Sequence, residues 1–290
     1  VDMKMTHVIR GEDHIHNTAK QILIYEAMDK PAPQFAHCPL IFDLDRAKLS
    51  KRKHGEAVHV DSYRKKGYMP EAMVNYLVQI SFTPPADWKK DAPAEERELF
   101  SLEEACAMFD IDKLSTSPAV FDLQKLNWFN NHWMRRLPLA VVRQRAQDLD
   151  FLPQAGEYTD AQLEEMIGAV REGLTMLAEI SQTTNFFFAP TVAVPDDVKQ
   201  SVLAADSARK VLEKTLAGLN SLPWGDHKGC KAVIDGIGKE LGVKGKELYW
   251  PLRAALSGKT SGPDLGSMLS VLGEKRVRAR LEANLPCKTV

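Results

Sequence analysis

The chain opens with an apolar run, an amphipathic stretch and a second apolar run. Val8 and Ile9 indicate the end of a buried strand, and residues 35–42 indicate a second strand. Between them, Ile15, Ala19 and Ile22 recur at helical spacing and predict a helix of about three turns. Strand, helix and strand in this order predict a piece of a parallel α/β sheet, with ligand groups at the carboxyl ends of its strands.

From about residue 56 the apolar spacing becomes helical. Pro70 is a favoured first-turn residue and predicts a helix to about Ile80. Ser101 and Glu104 have capping-box spacing and predict a helix to Phe109. Residues 83–99 contain three prolines among charges and indicate an exposed loop. Asp122 is expected to cap a helix that includes four large apolar residues, which are expected to lie in the core rather than to stack on bases: Leu126, Trp128, Phe129 and Trp133.

Beyond Arg136 the pattern is helical throughout, without a convincing strand alternation. Thr159 and Gln162 have capping-box spacing, and prolines in residues 190–197 indicate a break between two bundles. Gly262-Pro263 and Gly273 bracket a predicted short helix, and a final helix is expected to run to about Asn284.

Composition describes an intracellular globular chain. Of 290 residues, 44% are hydrophobic and 27% are charged. No apolar run approaches the ~18 residues that a membrane-spanning helix needs, and the first residues lack the apolar core of a signal peptide. Four cysteines occur singly, which argues against a zinc site in this chain and fits a reducing cytoplasm.

The net charge is only −1, but the basic residues are clustered. One cluster is Arg64, Lys65 and Lys66, and another lies in the tail at Lys275, Arg276, Arg278 and Arg280. Such patches bind nucleic-acid phosphates even on a molecule that is neutral overall. The alternative is that each cluster is the solvated side of a helix, with Val277 and Leu281 forming the apolar side in the tail.

The strongest candidate for chemistry is the sequence Lys48-Leu49-Ser50-Lys51-Arg52. It lies in residues 46–53, which carry five basic residues and no acidic one, just after the second predicted strand. Lysines and an arginine around a small hydroxyl residue can surround polyphosphate charge and stabilise its growth in a transition state. Taken alone, the run is more typical of a solvated basic surface than of a ligand site.

Together with an upstream segment, this motif resembles a family signature. Residues 6–14 read Thr-His-Val-Ile-Arg-Gly-Glu-Asp-His, and the two blocks resemble the second half of the catalytic domain of class I aminoacyl-tRNA synthetases of the glutamyl branch. In that branch Lys-Leu-Ser-Lys-Arg is the form taken by the mobile Lys-Met-Ser-Lys-Ser loop. The resemblance continues, in the same order, through residues 67–77, 117–126 and 251–258.

The resemblance implies the fold class and its division. We expect a mainly α protein: a remnant of a Rossmann-like α/β catalytic domain in residues 1–55, a helical stem-contact domain in residues 56–136, and an all-helical anticodon-binding region in residues 137–290, in two subdomains that divide near residues 190–197. An all-helical second half is typical of bacterial-type glutamyl-tRNA synthetases, whereas glutaminyl enzymes of the usual type carry β-barrels there. The His-Ile-Gly-His-type signature of the family is absent, so we expect the chain to be the C-terminal part of a longer enzyme and inactive when isolated.

The resemblance also implies the chemistry. Glutamate attacks the α-phosphate of ATP with loss of pyrophosphate, and a ribose hydroxyl of the tRNA terminus then takes the glutamyl group. By position, Lys51 and Lys48 are expected at the ATP phosphates, with Arg52 near them and Ser50 shaping the loop. Asp13 and His14 match positions that line the ATP site. Magnesium is implied with ATP, without an assignable protein ligand.

Arg10 matches the family arginine that pairs with the glutamate substrate, which suits a guanidinium fork. The alternative for Arg10 is a local ion pair with Glu12 or Asp13. Arg253 is a candidate tRNA contact, with capping of a helix end as its alternative. The expected partners are tRNA(Glu), glutamate and ATP, for a cytoplasmic monomer without a membrane role.

A second function stays open at this point. The chain could act alone as a non-catalytic tRNA-binding module, since the opening signature is missing and the second half is a helical bundle.

Overall fold

In a computed structural model, the chain is described over residues 1–153 and 158–285 and forms two compact units, Val1–Arg136 and Leu137–Val290. The expectation of a mainly α fold is confirmed. The division into catalytic, stem-contact and anticodon-binding parts stays a prediction.

The first unit begins with the predicted strand, helix and strand. Strand β1 (His7–Gly11) is followed by α1 (Ile15–Ala27) and by β2 (Gln34–Cys38), and β1 pairs with β2 in parallel, with Val8 opposite Phe35. The predicted second strand is wrong in its extent. It ends before Pro39, which cannot donate to a strand ladder, and the chain continues as the separate strand β3 (Ile41–Phe42). β3 pairs in parallel with β4 (Ala119–Val120), a strand that the sequence did not indicate.

The expectation that β1 is buried is wrong. Ile9 is 48% exposed, and α1 exposes Leu23 at 63% and Ile24 at 57%. The two-stranded sheet therefore leaves part of its apolar surface uncovered.

The other α-helices of this unit follow the β1–β2 pair and include its helical core. They are α2 (Lys51–His54), α3 (Val60–Lys66), α4 (Pro70–Ser81), α5 (Ala94–Glu98), α6 (Leu102–Met108) and α7 (Leu123–Arg136). α4 packs against α7, and Tyr76, Leu126 and Phe129 are fully buried between them. Burial raises the pKa of Tyr76 to about 12.

The capping predictions in this unit are confirmed. Ser101 and Glu104 form a reciprocal capping box at the start of α6, and Asp122 accepts from the backbone N–H of Gln124 at 2.8 Å at the start of α7. The prediction that residues 83–99 form a loop is wrong at α5. There Pro93 precedes the helix and Glu95 and Glu96 lie in its first turn, where negative charge stabilises a helix N-terminus.

The described residues of the second unit form helices joined by turns and loops, without a strand. Its helices are α8 (Leu139–Asp148), α9 (Asp160–Val170), α10 (Ala178–Phe188), α11 (Asp196–Val198), which continues into a π-helical turn (Lys199–Leu203), α12 (Asp206–Ala217), α13 (His227–Leu241), α14 (Lys246–Ser257) and α15 (Leu265–Ala283). Thr159 and Gln162 form the predicted capping box at the start of α9. The expected division of the last segment is confirmed, because Gly273 has φ 69° and ψ 167° inside α15.

One large core holds this unit together. Phe187, Ile234, Leu252, Met268 and Val277 are among its fully buried members. Most of the apolar positions that give α9, α13 and α14 their 3.6-residue period face this core.

Candidate functional site

The basic motif lies on a tight hairpin that the sequence builds locally. Phe42 and Lys48 form an antiparallel bridge, and the N–H of Leu49 donates to the carbonyl of Ile41 at 2.9 Å. Arg46 has φ 59°, in the left-handed region, and lets the chain reverse. Lys48 is therefore fixed by backbone bonds to the end of β3.

Ser50 ends the hairpin and caps the next helix. Its hydroxyl accepts from the N–H of Lys53 at 3.4 Å, which makes it the N-cap of α2. Lys51 and Arg52 lie in the first turn of α2, and both side chains are exposed. Among residues 1–153 and 158–285, neither has an ion-pair partner, so both are available to an anion.

Two predicted ATP-site residues, Lys48 and Asp13, form an ion pair within the first unit. The ammonium of Lys48 lies 2.8 Å from Oδ2 of Asp13. Asp13 lies on the single helical turn between β1 and α1. The hydrogen bond from Lys48 holds the pKa of the Asp13 carboxyl below its usual value. His14, next to Asp13, is exposed, and its Nδ1 lies 3.4 Å from Nδ2 of Asn17.

Arg10 is held away from the neighbouring acids. Its Nη2 donates to Oγ1 of Thr18 at 2.7 Å, and its guanidinium lies 5.2 Å above the Phe35 ring. In the described part of the chain Arg10 makes no ion pair with Glu12 or Asp13, so the alternative of a local pair is wrong. Over the described residues its charge has no carboxylate partner, so the guanidinium can pair with an anion.

Four residues of this site were missed by sequence reasoning. Thr18 Oγ1 lies 2.9 Å from Nε2 of His37, and together they surround Arg10; no spacing rule joins a helix residue to a strand residue nineteen positions away. Asp43 and His54 bracket the basic motif and lie 2.8 Å apart. A turn-forming Asp four residues before Ala47 was the only available signal.

The predicted tRNA-contacting residues lie on both units. Arg64, Lys65 and Lys66 are exposed on α3, where Lys65 pairs with Asp61 at 2.8 Å. Arg253 on α14 is half-buried, and its Nε is buried without a hydrogen-bond partner in the described chain.

Only part of the predicted basic tail is exposed. Lys275 is exposed, and the guanidinium of Arg276 lies 4.9 Å from the centre of the Tyr158 ring. Arg280 is only 2% exposed, so its inclusion in an exposed cluster is wrong. Val277 and Leu281 are fully buried, as the helical alternative for the tail expected.

No group of three or more His, Cys, Asp or Glu side chains in residues 1–153 and 158–285 could hold a metal ion. Over the same residues, no helix is both long and apolar enough to cross a membrane.

Two protein-family models match the chain and together cover nearly all of it. Residues 1–128 match the model described as "tRNA synthetases class I (E and Q), catalytic domain", and residues 123–285 match "Anticodon binding domain". The chain belongs to the class I tRNA synthetases of the glutamate and glutamine branch. The resemblance found in the sequence is thereby confirmed.

Curated relatives of this synthetase chain are glutamate–tRNA ligases. That of Carboxydothermus hydrogenoformans is 38% identical over 288 residues, which cover 97% of this chain and 57% of the relative. That of Bacillus subtilis is 37% identical over 287 residues, with the same two shares. The synthetase chain thus spans little more than half the length of the relatives it matches.

Solved structures agree in fold. A glutamate–tRNA ligase from Elizabethkingia meningosepticum, solved in complex with its amino acid, has a TM-score of 0.78 at 24% identity, covering 97% of this chain and 57% of that one. A glutamate–tRNA synthetase from Elizabethkingia anophelis has a TM-score of 0.74 at 25% identity, covering 98% and 57%.

Proposed function

We propose that this chain supplies the phosphate-binding loop, the glutamate-binding arginine and the tRNA-binding helices of an enzyme that attaches glutamate to tRNA(Glu). The single observation that carries the proposal is the contrast within the basic motif. Lys48 is fixed to Asp13, whereas Lys51 and Arg52 project into solvent without a carboxylate partner in the described chain. Such a loop keeps its positive charge available for the polyphosphate of ATP.

The first step transfers an adenylyl group. A carboxylate oxygen of glutamate attacks the α-phosphorus of ATP, the bond to the bridging oxygen breaks, and pyrophosphate leaves with its electron pair. Lys51 and Lys48 stabilise the charge that grows on the phosphates. Arg10 holds a carboxylate of the glutamate by a two-point hydrogen bond.

The second step transfers the glutamyl group to tRNA. A hydroxyl of the terminal ribose attacks the activated carbonyl carbon, and AMP leaves. Neither step needs a covalent bond to the protein, because positioning and electrostatics lower both barriers. Magnesium is proposed to arrive with ATP, and the described residues offer no acidic cluster that fits it, so no step is assigned to a metal ligand of this chain.

The proposal extends to the other predicted contacts. Asp13 and His14 are proposed to line the ATP site, which requires Lys48 to exchange part of its contact with Asp13 for phosphate. Arg64, Lys65, Lys66, Arg253, Lys275 and Arg276 are proposed to contact tRNA. Five of them lie on α3 and α15, where all but the half-buried Arg276 are exposed, and Arg253 offers a buried donor without a partner in the described chain.

The test is Lys51→Ala in the protein produced from the complete gene. We expect glutamate-dependent exchange of pyrophosphate into ATP, assayed with tRNA present, to fall more than tenfold, since about 1.4 kcal/mol of transition-state stabilisation is lost per factor of ten. Lys113→Ala removes an equal charge from a surface ion pair with Asp110 and serves as the matched control. Equal exchange by both variants would contradict the role of Lys51.

A non-catalytic tRNA-binding module is the second candidate. It is favoured by the match of residues 123–285 to an anticodon-binding model, which needs no catalysis. A protein from the complete gene that binds tRNA but exchanges no pyrophosphate would establish it.

A further inference from the structure

Asp43 receives three hydrogen bonds at the point where β3 meets the hairpin. Its Oδ1 accepts from the N–H of Ala47 at 2.7 Å, and its Oδ2 accepts from Nζ of Lys53 at 3.0 Å and from Nε2 of His54 at 2.8 Å. The side chain is only 18% exposed. A half-enclosed carboxylate with three donors is a fixed anchor.

The three donors come from both sides of the basic motif. Ala47 immediately precedes Lys48, and Lys53 and His54 immediately follow Arg52. Asp43 therefore ties together the two ends of the segment between Lys48 and Arg52. The backbone of Asp43 adds a fourth tie, since its N–H donates to the carbonyl of Ala47 at 2.8 Å.

His54 links the carboxylate of Asp43 to the centre of the basic motif. Its Nδ1 lies 3.2 Å from the backbone nitrogen of Ser50, which donates to it, while its Nε2 faces Asp43. A neutral imidazole satisfies both contacts only with the proton on Nε2, and the carboxylate of Asp43 selects that form.

We propose that Asp43 is a positioning residue, which acts through His54 on the backbone of Ser50 and so fixes the direction from which Lys48 and Lys51 meet the phosphates of ATP. This inference rests on the proposed function and names a residue that shapes its transition state without touching substrate.

The chemistry of the side chain explains why a carboxylate is needed. An asparagine keeps an acceptor for Ala47 but presents N–H groups to Lys53 and His54. The ring of His54 then accepts at Nε2 and carries its proton on Nδ1. In that form it no longer accepts from the N–H of Ser50 and donates instead to the carbonyl of Ser50, 3.2 Å away, so the contact that orients the motif changes. The hydrogen bond from His54 also holds the pKa of Asp43 far below its usual range, so the carboxylate is ionised at neutral pH.

The experiment compares Asp43→Asn and Asp43→Ala in the protein from the complete gene, with Asp45→Ala as the control. Asp45 is exposed in the same turn, and its removal changes the net charge equally. The readout is the pyrophosphate exchange assay, with kcat and the KM values for ATP and glutamate determined separately.

We expect both Asp43 variants to lower the exchange kcat at least tenfold, with the KM for glutamate within twofold of wild type, because the Arg10 site is untouched. Asp45→Ala should match wild type. His54→Ala should show the same loss, and the double variant Asp43→Asn, His54→Ala should lose no more than either single variant, since the two residues act as one unit. If Asp43→Ala does not fold, by its thermal unfolding midpoint, the Asn and His54 variants decide.

A wild-type kcat in Asp43→Asn would overturn the inference. A fall in kcat accompanied by an equally large rise in the KM for glutamate would also overturn it, because that result indicates general disruption of the site. A wild-type protein without any exchange would instead remove the proposed function, and this inference with it.

Discussion

At the scale of single residues, Arg280 shows how a buried charge can be held without a carboxylate. Its guanidinium donates to the carbonyls of Leu256, Phe186 and Ala189, the second of these at 2.7 Å. These carbonyls lie at the C-terminal ends of α14 and α10, where helix dipoles favour positive charge. Burial lowers the pKa of Arg280 to about 10, which leaves it protonated at neutral pH.

Replacing Arg280 by Met should open the helices that it joins. Three buried carbonyls lose a charged donor, and we expect the opening free energy of α10, α14 and α15 to fall by about 2–4 kcal/mol. Amide hydrogen exchange, read by mass spectrometry on peptides from these helices, measures the change. Arg278→Met, which removes a surface pair with Glu274, is the control and should cost about 0.5 kcal/mol or less. Equal exchange in the two variants would contradict the joining role.

At the scale of elements, local signals located the helices that have a clear start signal or apolar period, among them α1, α4, α6, α7 and α9. The capping boxes at Ser101 and Thr159 marked their helix starts, because side-chain bonds to the first backbone N–H groups act over three residues. The missed strand β4 has another origin. β4 is two residues long and pairs with Ile41 and Phe42 from far along the chain, which no local periodicity records.

The residues of the candidate site were likewise predicted where the signal is local and missed where it is not. The basic motif and Arg10 were recognised from contiguous residues. Thr18 and His37 were missed, since their contact with Arg10 depends on the packing of α1 against the β1–β2 pair. The burial of Arg280 was missed because a helical face is assigned from charge, and carbonyl acceptors leave no mark in the sequence.

A substitution at Gly258 tests the packing at the C-terminal end of α14. It ends α14 at φ 75°, and an added Cβ would lie 2.7 Å from the carbonyl oxygen of Ala193. We expect Gly258→Ala to destabilise the second unit by more than about 2 kcal/mol, as left-handed strain and a steric clash add. Gly242 ends α13 at φ 66° with open space around it, so Gly242→Ala should cost only about 1 kcal/mol.

Urea unfolding of the two variants followed by circular dichroism compares these costs. Equal midpoints would show that the contact with Ala193 does not constrain the end of α14.

At the scale of the whole molecule, the charge distribution matters more than its sum. The net charge is −1, yet exposed basic side chains lie on α3 and at Lys275 on α15. Phosphate contacts release counterions, so binding of tRNA should weaken at least tenfold between about 50 and 200 mM salt. Arg64→Ala should reduce the slope of log affinity against log salt by about one. Lys113→Ala should leave it unchanged, and affinity indifferent to salt would contradict a phosphate-based interface.

The proposed function is measured most directly as attachment of labelled glutamate to tRNA(Glu) by the protein from the complete gene. We expect attachment that requires ATP and falls more than tenfold in Lys51→Ala. Retained tRNA binding without any ATP-dependent attachment would contradict it and leave the binding module as the function.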